Sequence, residues 1–228
     1  MIISQIYAQS SLKDLLSLLV LVFGVLSKAD VIMANPICAN EGGECQTISV
    51  SELFHRAGEI SHQIHALSTE AYNEFNQHFI QGQHLNFSII NNCHTSSIVT
   101  PQNKEDALRT PHERLLSLVI AILRSWQDPL QYVISEFSAT HGNTSSILSK
   151  SMKIVKQMKQ LAKGLNKISE QVVQHSGAIE QTVPWEQPLV EDGDSLISQL
   201  YNLLHCFRRD TNKIDTYLKL LKCRFTQR

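Results

Sequence analysis

Apolar residues recur with helical spacing in four long segments of the chain. These segments cover about residues 51–78, 111–137, 146–175 and 195–224. Residues three and four apart lie on one face of an α-helix, so each segment predicts an amphipathic helix with one face towards a core. No alternation of apolar and polar residues competes with this pattern. The sequence therefore predicts an all-α domain.

The lengths of the connections constrain how these helices are arranged. About eight residues join the second and third segments, too few to travel back along helices of about 40 Å, so these two helices are expected to be antiparallel neighbours. The first and last connections, of about 32 and 19 residues, are long enough to cross the whole bundle. Two long crossover loops and one short turn predict an up-up-down-down four-helix bundle.

An apolar run near the amino terminus has the length of a signal-peptide core. This run, LLSLLVLVFGVL at residues 15–26, is too short to span a bilayer. Cleavage is plausible after Ala29 or after Ala34. We expect a signal peptide that is cleaved at one of these two sites and an exported domain after it. No second run of this kind follows, so we expect no membrane insertion.

The balance of charges excludes some partners. The chain has 20 Lys and Arg against 21 Asp and Glu, a formal net charge of −1. A nearly neutral chain has no electrostatic footprint for nucleic acid or an anionic membrane surface. We therefore expect no nucleic-acid partner.

Five cysteines follow the apolar run, and in an oxidising compartment they predict a disulfide framework. They are Cys38, Cys45, Cys93, Cys206 and Cys223. Cys206 and Cys223 cannot pair with each other, because 17 residues of continuous helix rise about 25 Å whereas a disulfide needs Cα atoms within about 7 Å. Two Asn-x-Ser sequons, at Asn86 and Asn143, are candidate glycosylation sites.

Motifs for catalysis are absent from the sequence, so we predict that the protein is not an enzyme and needs no cofactor. The nearest match to a di-iron motif, Glu59-Ile-Ser-His62, occurs once and has no partner motif. His62 and His65 are three residues apart on one helix face, and with Asp215 they could form a weak zinc site. The alternative is two solvated surface histidines.

Two features of the helices leave a binding role open. Gly164 interrupts the third segment, where glycine costs about 1 kcal/mol relative to alanine; it is a tolerated defect, a close packing contact or a cleft for a partner. The fourth segment has a charged face that is either the solvent-exposed side of an amphipathic helix or a protein interface. That face carries Arg208, Arg209, Asp210, Lys213, Lys219 and Lys222, with Tyr217 among them.

Several stretches resemble a known hormone family. They are SELFHRAGEISHQIHALS, CHTSSIVTPQNKEDAL, LLSLVIAILRSWQDPL, ILSKSMKIVKQMKQLAKGL and LLHCFRRDTNKIDTYLKLLKC. In order, over residues 35–224, they resemble the prolactin hormones of the somatotropin/prolactin family, and less closely growth hormone and somatolactin. The opening NPICANEGGEC favours the prolactin branch. The resemblance implies the bundle of a long-chain helical cytokine.

The resemblance also implies a disulfide pattern. Cys38 would pair with Cys45, and Cys93 in the first crossover with Cys206 in the fourth helix. The second bond would close a loop of more than 100 residues. By chain-entropy estimates, a disulfide that closes such a loop stabilises the folded state by about 4–5 kcal/mol. The family commonly has a further cysteine beyond the position of Cys223, and none follows here, so we expect an unpaired thiol at Cys223.

The function implied is that of a secreted, monomeric hormone whose mature chain begins at Asn35, which assigns the signal peptide to residues 1–34 and the hormone domain to 35–228. One hormone would bring together two single-span class I cytokine receptors of the prolactin type, and their Janus kinases would start Janus-kinase/STAT signalling. A second receptor surface would centre on Gly164. The first would combine His62, His65, Arg208, Arg209, Lys213, Asp215, Tyr217 and Lys219. The family commonly has histidine where this chain has Asn212, which puts a pH-sensitive contact there in doubt.

Two alternative functions remain. The first is a growth-hormone-like or somatolactin-like ligand of a related receptor. The second is a secreted helical carrier of small apolar ligands, which requires a cavity inside the bundle.

Overall fold

The structure is a computed structural model that describes residues 48–81, 93–141, 145–172, 183–186 and 193–226, with the backbone alone for 141 and 193–195. The expected signal peptide at 1–34, the expected Cys38–Cys45 pair and the sequons at Asn86 and Asn143 lie outside the described residues. They stay predictions.

The described residues form six α-helices and contain no β-strand. The helices are α1 (Val50–Phe75), α2 (Lys104–Arg109), α3 (His112–Ser125), α4 (Gln127–His141), α5 (Ser146–Val172) and α6 (Gly193–Thr226). A π-helical turn, Asn76–Ile80, follows α1, and a 3-10 turn, His94–Ser97, lies in the first crossover. The predicted all-α class is confirmed, whereas the short helix α2 was not predicted.

Local capping determines where α1 begins. The Ser49 hydroxyl accepts a hydrogen bond from the Glu52 backbone N–H at 3.1 Å, which satisfies one of the four free amides of the first turn. The Glu52 carboxylate lies near the positive end of the helix and pairs with Arg56 at 2.7 Å. The helix therefore starts at Val50, within one residue of the predicted start.

The second predicted helix is interrupted shortly before Pro129. Trp126 leaves the helical conformation between α3 and α4, with φ −96° and ψ 3°. Pro129 has no N–H to donate to the carbonyl of Ser125 four residues earlier. The His94 ring takes that position instead, with Nε2 at 2.9 Å from the Ser125 oxygen. The break is thus filled by a side chain of the first crossover.

Side-chain contacts determine the direction of each long helix. Along α1, the partners in α5 and in α6 come from progressively earlier positions, so α1 is antiparallel to both. The same order relates α3 and α4 to α6, which makes the bundle up-up-down-down, as predicted. The pairs are Phe54–Phe225, Ser61–Asp215 and Tyr72–Tyr201 for α1 and α6, Gln63–Gln157 and Glu74–Lys150 for α1 and α5, and Trp126–Phe207 and Tyr132–Gln199 for the second long segment and α6.

The first crossover runs along α6 in the same direction as that helix. A disulfide joins Cys93 to Cys206, with Cα atoms 5.5 Å apart and a sequence separation of 113. Further contacts follow at Thr95–Asp210, Thr100–Lys213 and Thr110–Arg224. The crossover therefore returns the chain to the end of the bundle where α1 began, which is why α1 and α3 run parallel.

The interior of the bundle is filled by large side chains. Those less than 2% exposed include Trp126, Phe54, Phe75, Phe137, Phe207 and several leucines and isoleucines. Grooves of about 310 and 500 Å³ lie on the surface rather than between these side chains. None of the helices in the described part of the chain is both long enough and apolar enough to cross a membrane.

A buried carboxylate joins three parts of the fold. Asp210 on α6 is 1% exposed and accepts hydrogen bonds from the Trp126 indole at 2.9 Å and from the Thr95 hydroxyl. Arg209 pairs with the same carboxylate at 2.8 Å and also donates to Thr95 at 2.9 Å. A buried charge is tolerated only when it is fully partnered, so this junction holds the crossover and the α3–α4 break against α6.

We expect Trp126→Phe to lower the free energy of unfolding by about 1.5–3 kcal/mol, because it removes a donor to a buried carboxylate while keeping an aromatic ring. Trp185→Phe is the matched control, since Trp185 is only partly buried against Tyr132. Denaturant unfolding followed by circular dichroism measures both. Equal losses in the two variants would contradict the role of Asp210.

Candidate functional site

A seam of small polar side chains lies between α1 and α6. Ser68 and Thr211 are each 1% exposed, and their hydroxyls are 2.8 Å apart. Two turns earlier on α1, Ser61 is equally buried and donates to the Asp215 carboxylate at 3.2 Å. Small hydroxyl side chains allow the two helices to approach closely. They hold the outward faces of α1 and α6 as one surface.

Three of the residues assigned to the first receptor surface meet at Asp215. The carboxylate is 4% exposed, and it accepts a hydrogen bond from Lys219 Nζ at 2.7 Å. His62 Nδ1 lies 3.6 Å from the same oxygen, and the His62 side chain is 65% exposed. Asp215 thus holds the Lys219 ammonium group and the His62 ring in place at the surface, while Asp215 itself is buried.

His65 faces a different partner. Its Nδ1 lies 3.1 Å from the Thr211 hydroxyl, beside the buried seam. Partial burial lowers the pKa of His65, and the charge of Asp215 opposes that shift. The imidazole therefore favours its neutral form more than a free histidine does.

The possible zinc site is not assembled. His62 approaches Asp215, but His65 Nδ1 is directed at Thr211, and Lys219 occupies the Asp215 oxygen that faces His62. Among the residues that the structure describes, no three histidine, cysteine, aspartate or glutamate side chains converge as metal ligands. The spacing of the histidines on one helix was correct, but the side chains point to separate partners.

Arg208 lies on an aromatic cluster at the other end of the α1–α6 face. Its guanidinium is 4.2 Å from the centre of the Tyr72 ring, a cation–π contact. The Tyr72 and Tyr201 hydroxyls are 2.9 Å apart, and His205 packs against both rings. Burial, together with the Tyr201 hydrogen bond, raises the pKa of Tyr72 to about 12. Arg208 is therefore pre-positioned by the Tyr72 ring, and its guanidinium makes no hydrogen bond to a side chain in the described ranges.

Two further basic residues of this face, Arg209 and Lys213, hold the crossover. Arg209 binds Asp210 and Thr95, as described above. Lys213 Nζ donates to the Thr100 hydroxyl at 3.2 Å, and partial burial lowers its pKa while the charge of Asp210 opposes the shift. Neither side chain extends freely into solvent.

Tyr217 is not an exposed contact residue, which corrects the interpretation of the charged face. It is 4% exposed, and burial raises the pKa of its hydroxyl. The residue lies beneath the first crossover, because α2 covers this part of α6. Between them is a surface groove of about 500 Å³ whose lining includes Tyr217, Lys213, Asn212, Leu108 and Lys104.

The side chain of Arg224 attaches helix α2 to the end of α6. Arg224 donates to the backbone carbonyls of Ala107, Leu108 and Thr110, at 3.0, 2.7 and 2.7 Å. These carbonyls lie at the carboxyl end of α2, where free acceptors and the helix dipole favour a cation. Arg224 thus determines how Leu108, which is 51% exposed, is presented.

Gly164 lies on α5, on the far side of α1 from α6. A Cβ atom at this position would meet nothing within 4 Å, so no close packing contact within the chain requires glycine. Of the three interpretations of this residue, close packing is excluded. A tolerated defect and an open approach to the backbone remain.

A family model for the somatotropin hormone family matches residues 19–228. The chain belongs to the somatotropin hormone family. It is therefore a cytokine-like hormone that acts on class I receptors, and its family is not an enzyme family. The resemblance and the fold agree with this assignment, because the family model spans all of the described helices.

Sequence reasoning missed part of the hormone's candidate surface. Leu108 and Val99 in the first crossover are 51% and 74% exposed, although both are large and apolar. The signal that could have found α2 is Asn103, whose side chain accepts from the Asp106 backbone N–H at 2.9 Å as a helix cap. Cys223 is exposed and unbonded in the structure.

We expect the hormone to lose stability as the pH falls from 7 to 5. Burial lowers the pKa values of His65, His94 and His205, so protons bind the unfolded chain first as the pH falls through about 6.5. Denaturant unfolding at several pH values measures the slope.

His94→Gln should reduce this slope, because His94 is the deepest of the three and its ring fills the α3–α4 break. His55→Gln, which changes a half-exposed side chain that lies beside Glu59 on the surface of α1, is the control. A slope that is the same in both variants and in the unaltered hormone would show that His94 does not contribute.

Proposed function

We propose that this hormone acts outside the cell by joining two class I cytokine receptors of the prolactin type, which starts Janus-kinase/STAT signalling. The first receptor binds surface 1, which we define as the outward faces of α1 and α6 together with the first crossover. The second binds surface 2, around Gly164 on α5 and the adjoining side of α1. The observation that carries the proposal is the attachment of the crossover to α6, which turns three separate segments into one face.

The side chains of surface 1 suit a protein partner. Interfaces are enriched in arginine and apolar anchors, with buried supports beneath them. Arg208 is held on Tyr72, and exposed Leu108 and Val99 provide apolar area beside the groove. Lys219 and His62 lie at the rim, where charges affect orientation and association rate more than affinity.

Two of the residues assigned to surface 1 lie beneath it and are not exposed to a partner. Asp215 and Tyr217 are each 4% exposed, so a receptor would meet the groups that they support. Their substitution would weaken binding through displacement of Lys219, His62 and α2. This is a positioning role rather than a direct contact.

Surface 2 depends mainly on open space beside the α5 backbone at Gly164. With no Cβ at Gly164 and nothing within 4 Å of that position, a flat receptor surface can approach the α5 backbone. A large side chain there would project from the bundle without disturbing its core.

Secretion, removal of residues 1–34 and action as a monomer belong to the same proposal. They are supported by the family of secreted hormones to which the chain belongs and by the Cys93–Cys206 disulfide, which is typical of oxidising compartments. The disulfide at Cys38–Cys45, the unpaired thiol at Cys223 and glycans at Asn86 and Asn143 are further parts of it.

We expect the purified hormone to activate STAT in cells that express a prolactin receptor and not in matched cells that express a growth-hormone receptor. The sequence resemblance is greater for the prolactin branch. The two cell lines should carry the same reporter and equal receptor numbers. A response only through the growth-hormone receptor, or through a somatolactin receptor, would favour the alternative ligand class.

Gly164→Arg should keep affinity for a single receptor ectodomain within about twofold and abolish signalling, because one receptor still binds but the second cannot approach. Gly164→Ala is the matched control. It adds only a methyl group in open space and should signal normally, while stabilising α5 by about 1 kcal/mol.

Titration calorimetry with the receptor ectodomain and a STAT reporter assay measure these two properties separately. Full agonism by Gly164→Arg would count against surface 2. Loss of the first binding event in the same variant would instead indicate that Gly164 belongs to surface 1.

A further inference from the structure

Helix α5 has a charge that the rest of the hormone does not share. It contains six lysines and one glutamate, a formal charge of +5, whereas the whole chain is at −1. The remainder of the chain is therefore at −6. A net charge close to zero conceals this separation of charge.

Five of these lysines form a strip on the solvent side of α5. All five are exposed, and they are Lys153, Lys156, Lys159, Lys163 and Lys167. Since successive residues of a helix are about 100° apart, the five fall within about 120°, opposite the buried face that contains Leu161 and Leu165. The strip is about 21 Å long.

The lysines of the strip are not used within the bundle. None of the five makes an ion pair with a residue that the structure describes, whereas Lys150, at the start of α5, pairs with Glu74 at 2.7 Å. Two acids lie at the edges of the strip: Asp128 lines the same groove as Lys159, and Glu170 follows Lys167 by one turn. Between these edges, like charges three and four residues apart repel one another, which destabilises the isolated helix. A polyanion would relieve this repulsion.

We propose that the lysine strip of α5 binds a linear sulfated polysaccharide of the glycosaminoglycan class. Lysine ammonium groups are compact point charges that suit a row of sulfates, without the planar matching that arginine offers to a single carboxylate. A row of charges on one helix face is complementary to an extended polyanion. Binding of this kind is driven by release of counterions and weakens steeply with salt.

Other polyanionic or protein partners fit the strip less well. A protein interface would have aromatic, apolar or arginine anchors at its centre and few lysines. A membrane-surface helix needs an apolar face in contact with lipid, but the apolar face of α5 is in the core and Met152 is the large apolar side chain exposed near the strip. The extracellular location that the proposed function assigns is also where sulfated polysaccharides occur.

The strip is offset from surface 2. Gly164 lies about 80° around the helix from the centre of the strip, on the side of α1, where Gln157 meets Gln63 at 2.6 Å. The strip and surface 1 are on different helices. Polysaccharide and the first receptor can therefore bind one hormone at the same time.

The test compares two triple variants of the full secreted chain, each with three positive charges removed. The strip variant is Lys156→Gln, Lys163→Gln and Lys167→Gln. The control variant is Arg56→Gln, Arg109→Gln and Arg114→Gln, all exposed positions outside α5. Affinity for immobilised heparan sulfate is measured at several salt concentrations around 0.15 M.

We expect the unaltered hormone and the control variant to bind heparan sulfate with affinities within about twofold, and the strip variant to bind roughly 10-fold to 100-fold more weakly with a shallower salt dependence. Equal binding by the two variants would overturn the proposal. Binding to phosphatidylserine-containing vesicles, with none to heparan sulfate, would overturn it in favour of a membrane surface.

Two further measurements separate this proposal from the receptor function. Equal affinity for hyaluronan, which carries carboxylates and no sulfates, would overturn the assignment to sulfated chains. The strip variant should still bind a single receptor ectodomain as the unaltered hormone does. If no receptor responds to any form of the hormone, the heparan sulfate measurement still tests the lysine strip, because it does not depend on a receptor.

Discussion

The buried carboxylate of Asp210 is the interaction on which the arrangement of this hormone depends. A charge that is 1% exposed is costly unless every acceptor site is matched. Its partners come from the first crossover, from the α3–α4 break and from α6 itself. Only one register of these segments satisfies all of them. The carboxylate therefore contributes positional specificity, while the apolar core supplies most of the favourable free energy.

Positional specificity matters because the candidate receptor surfaces are made from segments far apart in the chain. In the proposed function, Arg208, Lys219 and α2 can meet one partner only if they lie at fixed distances from one another. The disulfide at Cys206, the carboxylate at Asp210 and the guanidinium of Arg224 hold the crossover at three levels along α6. The exposed apolar residues Val99 and Leu108 are thereby kept in place without being buried.

The bundle could be predicted from the sequence because helical periodicity and connection length are strong signals over 25 or more residues. Three features could not be predicted. The burial of Tyr217 depends on α2, a six-residue helix too short for periodicity to detect. The separation of His65 from Asp215 depends on the side-chain partner Thr211. The lysine strip could not be recognised from the net charge, because the net charge is a sum over the whole chain and does not show where the charges lie.

The alignment of the first crossover with α6 has a consequence for how the chain folds during synthesis. Each hydrogen bond that attaches the crossover to α6 joins residues 113 to 117 positions apart. Contacts of such long sequence separation form late, because the loop entropy must be lost before any of them is gained. During synthesis on the ribosome, Cys93 and the apolar residues of the crossover would have no α6 partners until α6 has emerged. At that stage the growing hormone would expose the residues of its candidate receptor surface, and exposed apolar residues of this kind are what chaperones bind.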